Sequence, residues 1–388
     1  MPRVFYLRFI LRNLGRHPLR TGLTVAGIVV AVLAFGILRT VVDSWYAGAE
    51  ATSARRLITR NAVSLTFPLP ISYLGRIRRT RGVETVSYAN WFAGVYINEK
   101  NFFPQFAVEA KGYLDLYPEF MLPPEQFRDF LHDRKGALAG ERVAAQYGWK
   151  IGDVIPLRGT IYPGQWSFVL RGIYRGRDPK TDETNFFFHW DYLNETLKQG
   201  AQVRADHTGI FIVGIERAGD AARVSRDIDQ VFENSLAETL TETEQAFQLG
   251  FVAMTEAILI VVQSVSALVI GIILAVLCNT LAMSVRERRR EHATLRVLGF
   301  GPVRIVGLIL GESLAIALLG GVLGVLLSYP AAVVFAAEVG TLFPVFEVSD
   351  ETAGLAIGCA AAVGVLAALL AAPQAVRVPI VVGLRGMG

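Results

Sequence analysis

Cysteine is close to absent from this chain, and so are most residue patterns that carry covalent chemistry. Only Cys278 and Cys359 occur, both inside apolar runs, so no disulfide framework staples the fold and both read as small packing residues. There is no Gly-Lys dipeptide, which excludes the loop that cradles nucleotide phosphates. The Gly-x-Ser-x-Gly nucleophile elbow is missing. His17, His132, His189, His207 and His292 are scattered, and none belongs to a His-Glu-x-x-His arrangement. Charge is scarce as well, at 19% of residues against about 25% in ordinary soluble chains.

The shortage of charge is local. Thr21–Leu38, Ala257–Val285, Ser313–Ala337 and Thr352–Val376 hold no Asp, Glu, Lys or Arg. Each is long enough to cross a bilayer, which takes roughly 20 apolar residues. A buried helix of a soluble protein would keep a polar face, and these runs have none. Mean hydropathy is accordingly high, at +0.41. An Arg-rich start followed by Ala47-Gly48-Ala49 could mimic a cleaved secretory signal. The uncharged run exceeds the about 7–15 residues of a signal core, however, and Arg39 and Asp43 intervene, so residues 21–43 read as a retained span.

Arginine sets the expected orientation. Residues 1–20 carry Arg3, Arg8, Arg12, Arg16 and Arg20 with no acid, and the tail carries Arg377 and Arg385. The connection at 338–351 has Glu338, Glu347, Asp350 and Glu351 and no basic residue. Basic excess marks the cytoplasmic side, which places both termini inside and the large 44–250 segment periplasmic or extracellular. The net charge of +4 is then mostly a topology signal; the basic patches adjoin spans and lack interleaved aromatics, so no nucleic-acid partner is indicated.

The division expected is an amphipathic cytoplasmic helix at 1–20, its arginines on anionic lipid, spans at 21–43, 251–285, 305–337 and 352–376, and an outside domain at 44–250. A cytoplasmic loop at 286–304, a short outside loop at 338–351 and a cytoplasmic tail at 377–388 complete it. The fold class is an α-helical membrane protein with four transmembrane helices and a large α+β extracytoplasmic domain between the first and second. Within that domain, Ala62–Phe67, Glu84–Tyr88, Phe168–Tyr174 and Ile210–Ile215 read as strands, and Asp220–Glu233 as a helix with Ala221, Val224, Ile228, Val231 and Phe232 on one face. Ala137–Asp153 reads as strand, helix and a Gly-Asp turn. Residues 236–256, rich in Thr and Glu, read as a polar helical stalk running into the second span.

The densest pattern is Ser284-Val-Arg-Glu-Arg-Arg-Arg-Glu-His-Ala-Thr-Leu-Arg-Val-Leu-Gly299, wedged between two apolar runs. Farther on, Glu312 is the one acid embedded in the third span; charge at such depth needs a partner, and an arginine of the 286–304 loop can supply one. Glycines four apart (Gly307 and Gly311, Gly320 and Gly324, Gly354 and Gly358) allow close helix approach, either within the chain or between two copies.

This loop, with its order E-R-x-R-E-x-x-x-L-R-x-L-G, resembles the cytoplasmic loop of the MacB/LolC/LolE/FtsX class of ABC-transporter permeases. Leu11–Thr21 is similar to the family's membrane-entry motif, Arg81–Val83, Ala139–Asp153 and Phe168–Ile173 to its periplasmic core domain, and Ala372–Arg377 with Leu384-Arg385 to its C-terminal signature. His292 and Ala293 stand where the family usually has Ile-Gly. The resemblance implies a non-enzymatic permease subunit of a multi-pass inner (cytoplasmic) membrane complex, paired with a second copy or paralogue. Beneath it would sit separate ATPase subunits that bind the ATP and Mg, this chain holding no cofactor or metal of its own. Arg286, Glu287, Arg288, Arg290, Glu291, Leu295, Arg296, Leu298 and Gly299 would couple to the ATPase, while Glu312, Gly320, Gly321 and Gly324 would transmit motion through the spans. A periplasmic adaptor or substrate-carrier protein is a further partner the class allows. Regulation of a cell-wall hydrolase, as in FtsX, is the alternative within the class. A membrane-anchored receptor is the alternative outside it, though it would not need the patterned loop.

Overall fold

The computed structural model describes residues 12, 16, 18–50, 52–178, 181–200, 202–254, 256–339 and 346–376. The tail and most of the amphipathic helix expected at 1–20 lie outside the described residues. Two compact units emerge, one holding the apolar helices and the other the segment between the first two of them.

The apolar unit contains, among the described residues, four helices long and apolar enough to cross a membrane: Pro18–Glu50, Glu256–Glu287, Pro302–Val339 and Asp350–Val376. The apolar part of the first spans 29 residues, roughly 43 Å at helical rise and ample for a bilayer core of about 30 Å. Ile28 and Val32 of the first helix, Leu277 and Leu281 of the second, Ile316 and Ala317 of the third and Ala360 and Val363 of the fourth share one buried cluster. Lipid gives no hydrophobic drive to that packing, so fit and hydrogen bonds carry it. Ser313 Oγ donates to the Gly364 carbonyl at 2.6 Å, joining third helix to fourth. Thr352 Oγ1 donates to the Asp43 carboxylate at 2.5 Å, joining fourth to first.

The other unit is built on strands β1 (Arg56–Asn61), β2 (Leu69–Pro70), β3 (Val83–Trp91), β4 (Gly94–Val95), β5 (Gln105–Val108), β6 (Phe120–Met121), β7 (Gly136–Gly140), β8 (Val154–Gly159), β9 (Gly164–Gly176), β10 (Phe186–His189), β11 (His207–Thr208), β12 (Ile210–Ile215) and β13 (Thr239–Thr243). One sheet runs β13-β1-β12-β3-β5-β10-β7-β9-β8-β4, with β6 beside β9. It is mixed: β5 with β10 and β7 with β9 are parallel, the other pairs antiparallel. Both faces of its centre are covered, and the strand period shows it. Phe186 and Phe188 enter one core with Phe92, Phe168 and Trp166, while Phe187 between them enters another with Tyr113, Tyr117 and Tyr174. Helix Ala221–Phe232 buries Val224, Ile228 and Phe232 against β1 and β12, using the face the sequence indicates.

Two expectations fail here. Ala62–Phe67 is a loop, and the strand lies one step earlier at Arg56–Asn61. Its central Leu57-Ile58 is flanked by arginines that find buried or half-buried acids, so the charged ends hide a strand whose middle is fully buried. The continuous polar stalk at 236–256 is also corrected. Thr239–Thr243 is an edge strand paired with β1, and a helix begins only at Glu244. Alternating β-branched threonines favour the strand. Asp229 of the neighbouring helix then accepts from the Thr239 hydroxyl at 2.9 Å, the Thr241 hydroxyl at 2.7 Å and the Thr241 N–H at 3.0 Å, which caps the open sheet edge.

Candidate functional site: the loop between the second and third membrane helices

The second membrane helix ends at Glu287, and a short helix, Arg289–Val297, follows Arg288. Gly299 terminates it. With φ +89 it lets its own N–H reach the Arg296 carbonyl (3.1 Å) and the Phe300 N–H reach the Leu295 carbonyl (3.0 Å), satisfying two orphan carbonyls of the last turn. Pro302 then opens the third membrane helix, a position where its missing N–H costs nothing. The loop is thus a compact helix–turn with fixed ends.

Three of its charges, Glu287, Arg288 and Glu291, are spent inside the chain. Arg288 Nη1 lies 2.9 Å from Glu312 Oε2, their side chains 9% and 13% exposed, so the embedded acid does pair with an arginine of the loop. Glu287 pairs with Arg20 at 2.5 Å, and Glu291 with Arg16. Ala293 and Ile305 are buried on the inner side of the turn. Outward stand Arg286, Thr294 and an apolar tip, Val297 (59% exposed), Leu298 (69%) and Val303. Leu295 and Arg296 are half-buried, Gly299 is exposed, and the Arg290 side chain lies outside the described residues.

The spans beneath the loop pack through some glycines and not others. A Cβ on Gly320 would lie 2.6 Å from Ile28 Cγ2, and one on Gly324 2.7 Å from Val32 Cβ, so these two bring the third helix against the first. Gly321 meets Ala360 of the fourth helix in the same way. Gly307, Gly354 and Gly358 face open space within the chain. Sequence reasoning named Leu298 but missed Val297 and Val303 beside it, and the two Arg–Glu rungs. Arg16 and Arg20 are four apart, as are Glu287 and Glu291, and that matched spacing is the signal that could have found the rungs.

Residues 263–380 match the model of the FtsX-like permease C-terminal domain. An uncharacterized ABC transporter permease of Methanocaldococcus jannaschii is 22% identical over 351 residues, covering 83% of this chain and 82% of that protein. The chain thus carries an FtsX-like permease C-terminal domain. Among solved structures, this permease is similar to the extracellular domain of the noncanonic ABC-type transporter YknZ from Gram-positive bacteria, at 11% identity and a TM-score of 0.35 over 48% of this chain and 98% of that one. It is also similar to a domain of a permease protein from Porphyromonas gingivalis, at 13% identity and a TM-score of 0.35 over 49% and 90%. The FtsX-like match begins inside the second membrane helix and takes in the short helix, its apolar tip, Glu312 and the packing glycines.

Proposed function

We propose that this permease carries ATP-driven motion from a separate ATPase to its extracytoplasmic domain, in the manner of MacB-like transporters, for export or extraction of a lipoprotein, lipid or other hydrophobic or peptide substrate. One observation supports the reading above others: a fixed helix–turn between two spans that turns Val297 and Leu298 to solvent while Glu287, Arg288 and Glu291 are tied to Arg20, Glu312 and Arg16. Exposed aliphatic side chains on a rigid mount offer a partner protein apolar surface to cover, at up to about 1.5–3 kcal/mol of transfer free energy for a side chain fully buried. In this reading the charges shape the loop and the apolar tip docks.

The double variant Val297→Asp, Leu298→Asp is expected to insert and fold but to lose co-purification with the ATPase. Retention of the ATPase at wild-type stoichiometry would remove the tip from the interface. A mis-inserted protein, recognised by protease accessibility, would instead assign the loop to topology alone.

The proposed orientation places both termini in the cytoplasm and residues 44–250 outside the inner membrane. Lys198, on helix Trp190–Gly200 and half exposed, serves as its probe. Lys198→Cys is expected to react with an impermeant maleimide on intact spheroplasts, and Arg385→Cys only after lysis. The opposite pattern would invert the topology.

A further inference from the structure

One arginine of the extracytoplasmic domain is buried with two carboxylates and belongs to no part of the site described above. Arg56 and Glu244 have side chains only 6% exposed. Arg56 Nε donates to Glu244 Oε2 at 2.6 Å, its Nη2 to Glu119 Oε1 at 2.6 Å, and its Nη1 to Glu119 Oε2 at 3.1 Å and to the Leu116 carbonyl at 3.0 Å. The Tyr117 ring covers the guanidinium at 4.2 Å, and the Tyr117 hydroxyl donates to Glu244 Oε1 at 2.8 Å. Burial first, then the charge of Glu244, raises the Tyr117 hydroxyl well above its usual range, which keeps it a donor.

Position gives the cluster its meaning. Arg56 opens β1, the first strand after the first membrane helix. Glu244 opens helix Glu244–Met254, the last element before the second. The entry and exit of the domain therefore end on one guanidinium. Its third partner, the Leu116–Glu119 segment, is rooted through Tyr113 and Tyr117 in the core that holds Phe187 and Tyr174. Buried charge is a poor source of stability, since apolar residues of the same volume often do as well or better. A planar fork that engages two carboxylates and a carbonyl at once does, however, fix three segments in one geometry, which a lysine cannot.

We infer that Arg56, Glu244, Glu119 and Tyr117 are positioning residues of a rigid joint that makes the exit helix, β1 and the Leu116–Glu119 segment move as one body. The mechanical part of this inference rests on the proposed function; the rigidity does not. The test uses the full-length permease with spin labels at Gln245 and Asp115, both exposed. In the permease alone, the labelled wild type is expected to give one narrow distance, and Arg56→Lys and Glu244→Gln to lose it for a broad distribution. A narrow distance retained in both variants overturns the joint, whether or not an ATPase binds. With co-purified ATPase, the wild-type distance is expected to be unchanged by ATP, and a nucleotide-dependent change would show that the joint is not rigid. Failure of co-purification alone counts against the proposed function and leaves the first comparison standing. Should the single variants not fold, Arg56→Met with Glu119→Gln and Glu244→Gln removes the buried charge together and is expected to fold with the same broadened distance.

Discussion

Gly320→Leu and Gly324→Leu are expected to disrupt the membrane unit, whereas Gly358→Leu, at identical spacing in the next helix, leaves the folded chain as it was. The first two positions have no room even for a methyl group. A Cβ on Gly320 would meet Ile28 Cγ2 at 2.6 Å and Ile28 Cβ at 2.7 Å, and one on Gly324 would meet Val32 at 2.7 and 2.8 Å and the Val29 carbonyl at 3.0 Å. The carbonyl contact cannot be relieved by a rotamer, so the first and third helices must separate. Overpacking of this kind costs about 1–3 kcal/mol per site, and more where backbone is in the way. Gly358 has nothing within 4 Å, and a change there is expected to stay within about 0.5 kcal/mol in a single chain. Thermal unfolding of the detergent-solubilised permease measures the contrast. Equal melting of all three variants would show that the first and third helices do not meet at these glycines. A loss of function in Gly358→Leu with unchanged melting would place that glycine against another copy or partner.

Physical chemistry decided what was legible in the sequence. The four membrane helices were readable because a charge-free run longer than a bilayer has few other uses. The sheet at β12 and the helix Ala221–Phe232 were readable because their apolar period is short-range. Glu312 announced a need for a partner, and Arg288 is that partner. The three glycine pairs were indistinguishable, because spacing says that a helix can be approached and not what approaches it; Ile28 and Val32 come from nearly three hundred residues earlier. The edge strand Thr239–Thr243 was hidden for the same reason. Its polar Thr-Glu pattern also suits a solvated helix, and the choice is made by β1 and by Asp229. In the loop, dense arginine and glutamate drew the docking role to themselves. The structure ties several of those charges down and leaves Val297 and Leu298 outside.

Removing either partner of the Arg288–Glu312 pair is expected to cost far more than removing both. The pair lies at 2.9 Å with both side chains nearly buried. Arg288→Met leaves a nearly buried carboxylate without its guanidinium, and Glu312→Gln takes from Arg288 the carboxylate at 2.9 Å. Stranding a buried charge costs about 3–5 kcal/mol, while replacing a whole pair with apolar groups of similar volume is often close to neutral. Arg288→Met combined with Glu312→Leu should therefore recover most of the melting temperature lost in either single variant, and a double-mutant cycle should show strong coupling. Additive losses would mean that the two groups do not act on each other. The same pair bears on mechanism. An acid within a span can serve a proton relay, but a relay needs a second group that exchanges protons, and an arginine does not. In vesicles holding the permease and its ATPase, maleimide modification of Lys198→Cys is expected to change with ATP and not with a pH gradient alone. A response to the gradient without ATP, lost in Glu312→Gln, would make Glu312 a proton carrier instead of the fixed counter-charge that holds the loop at Arg288 to the third helix.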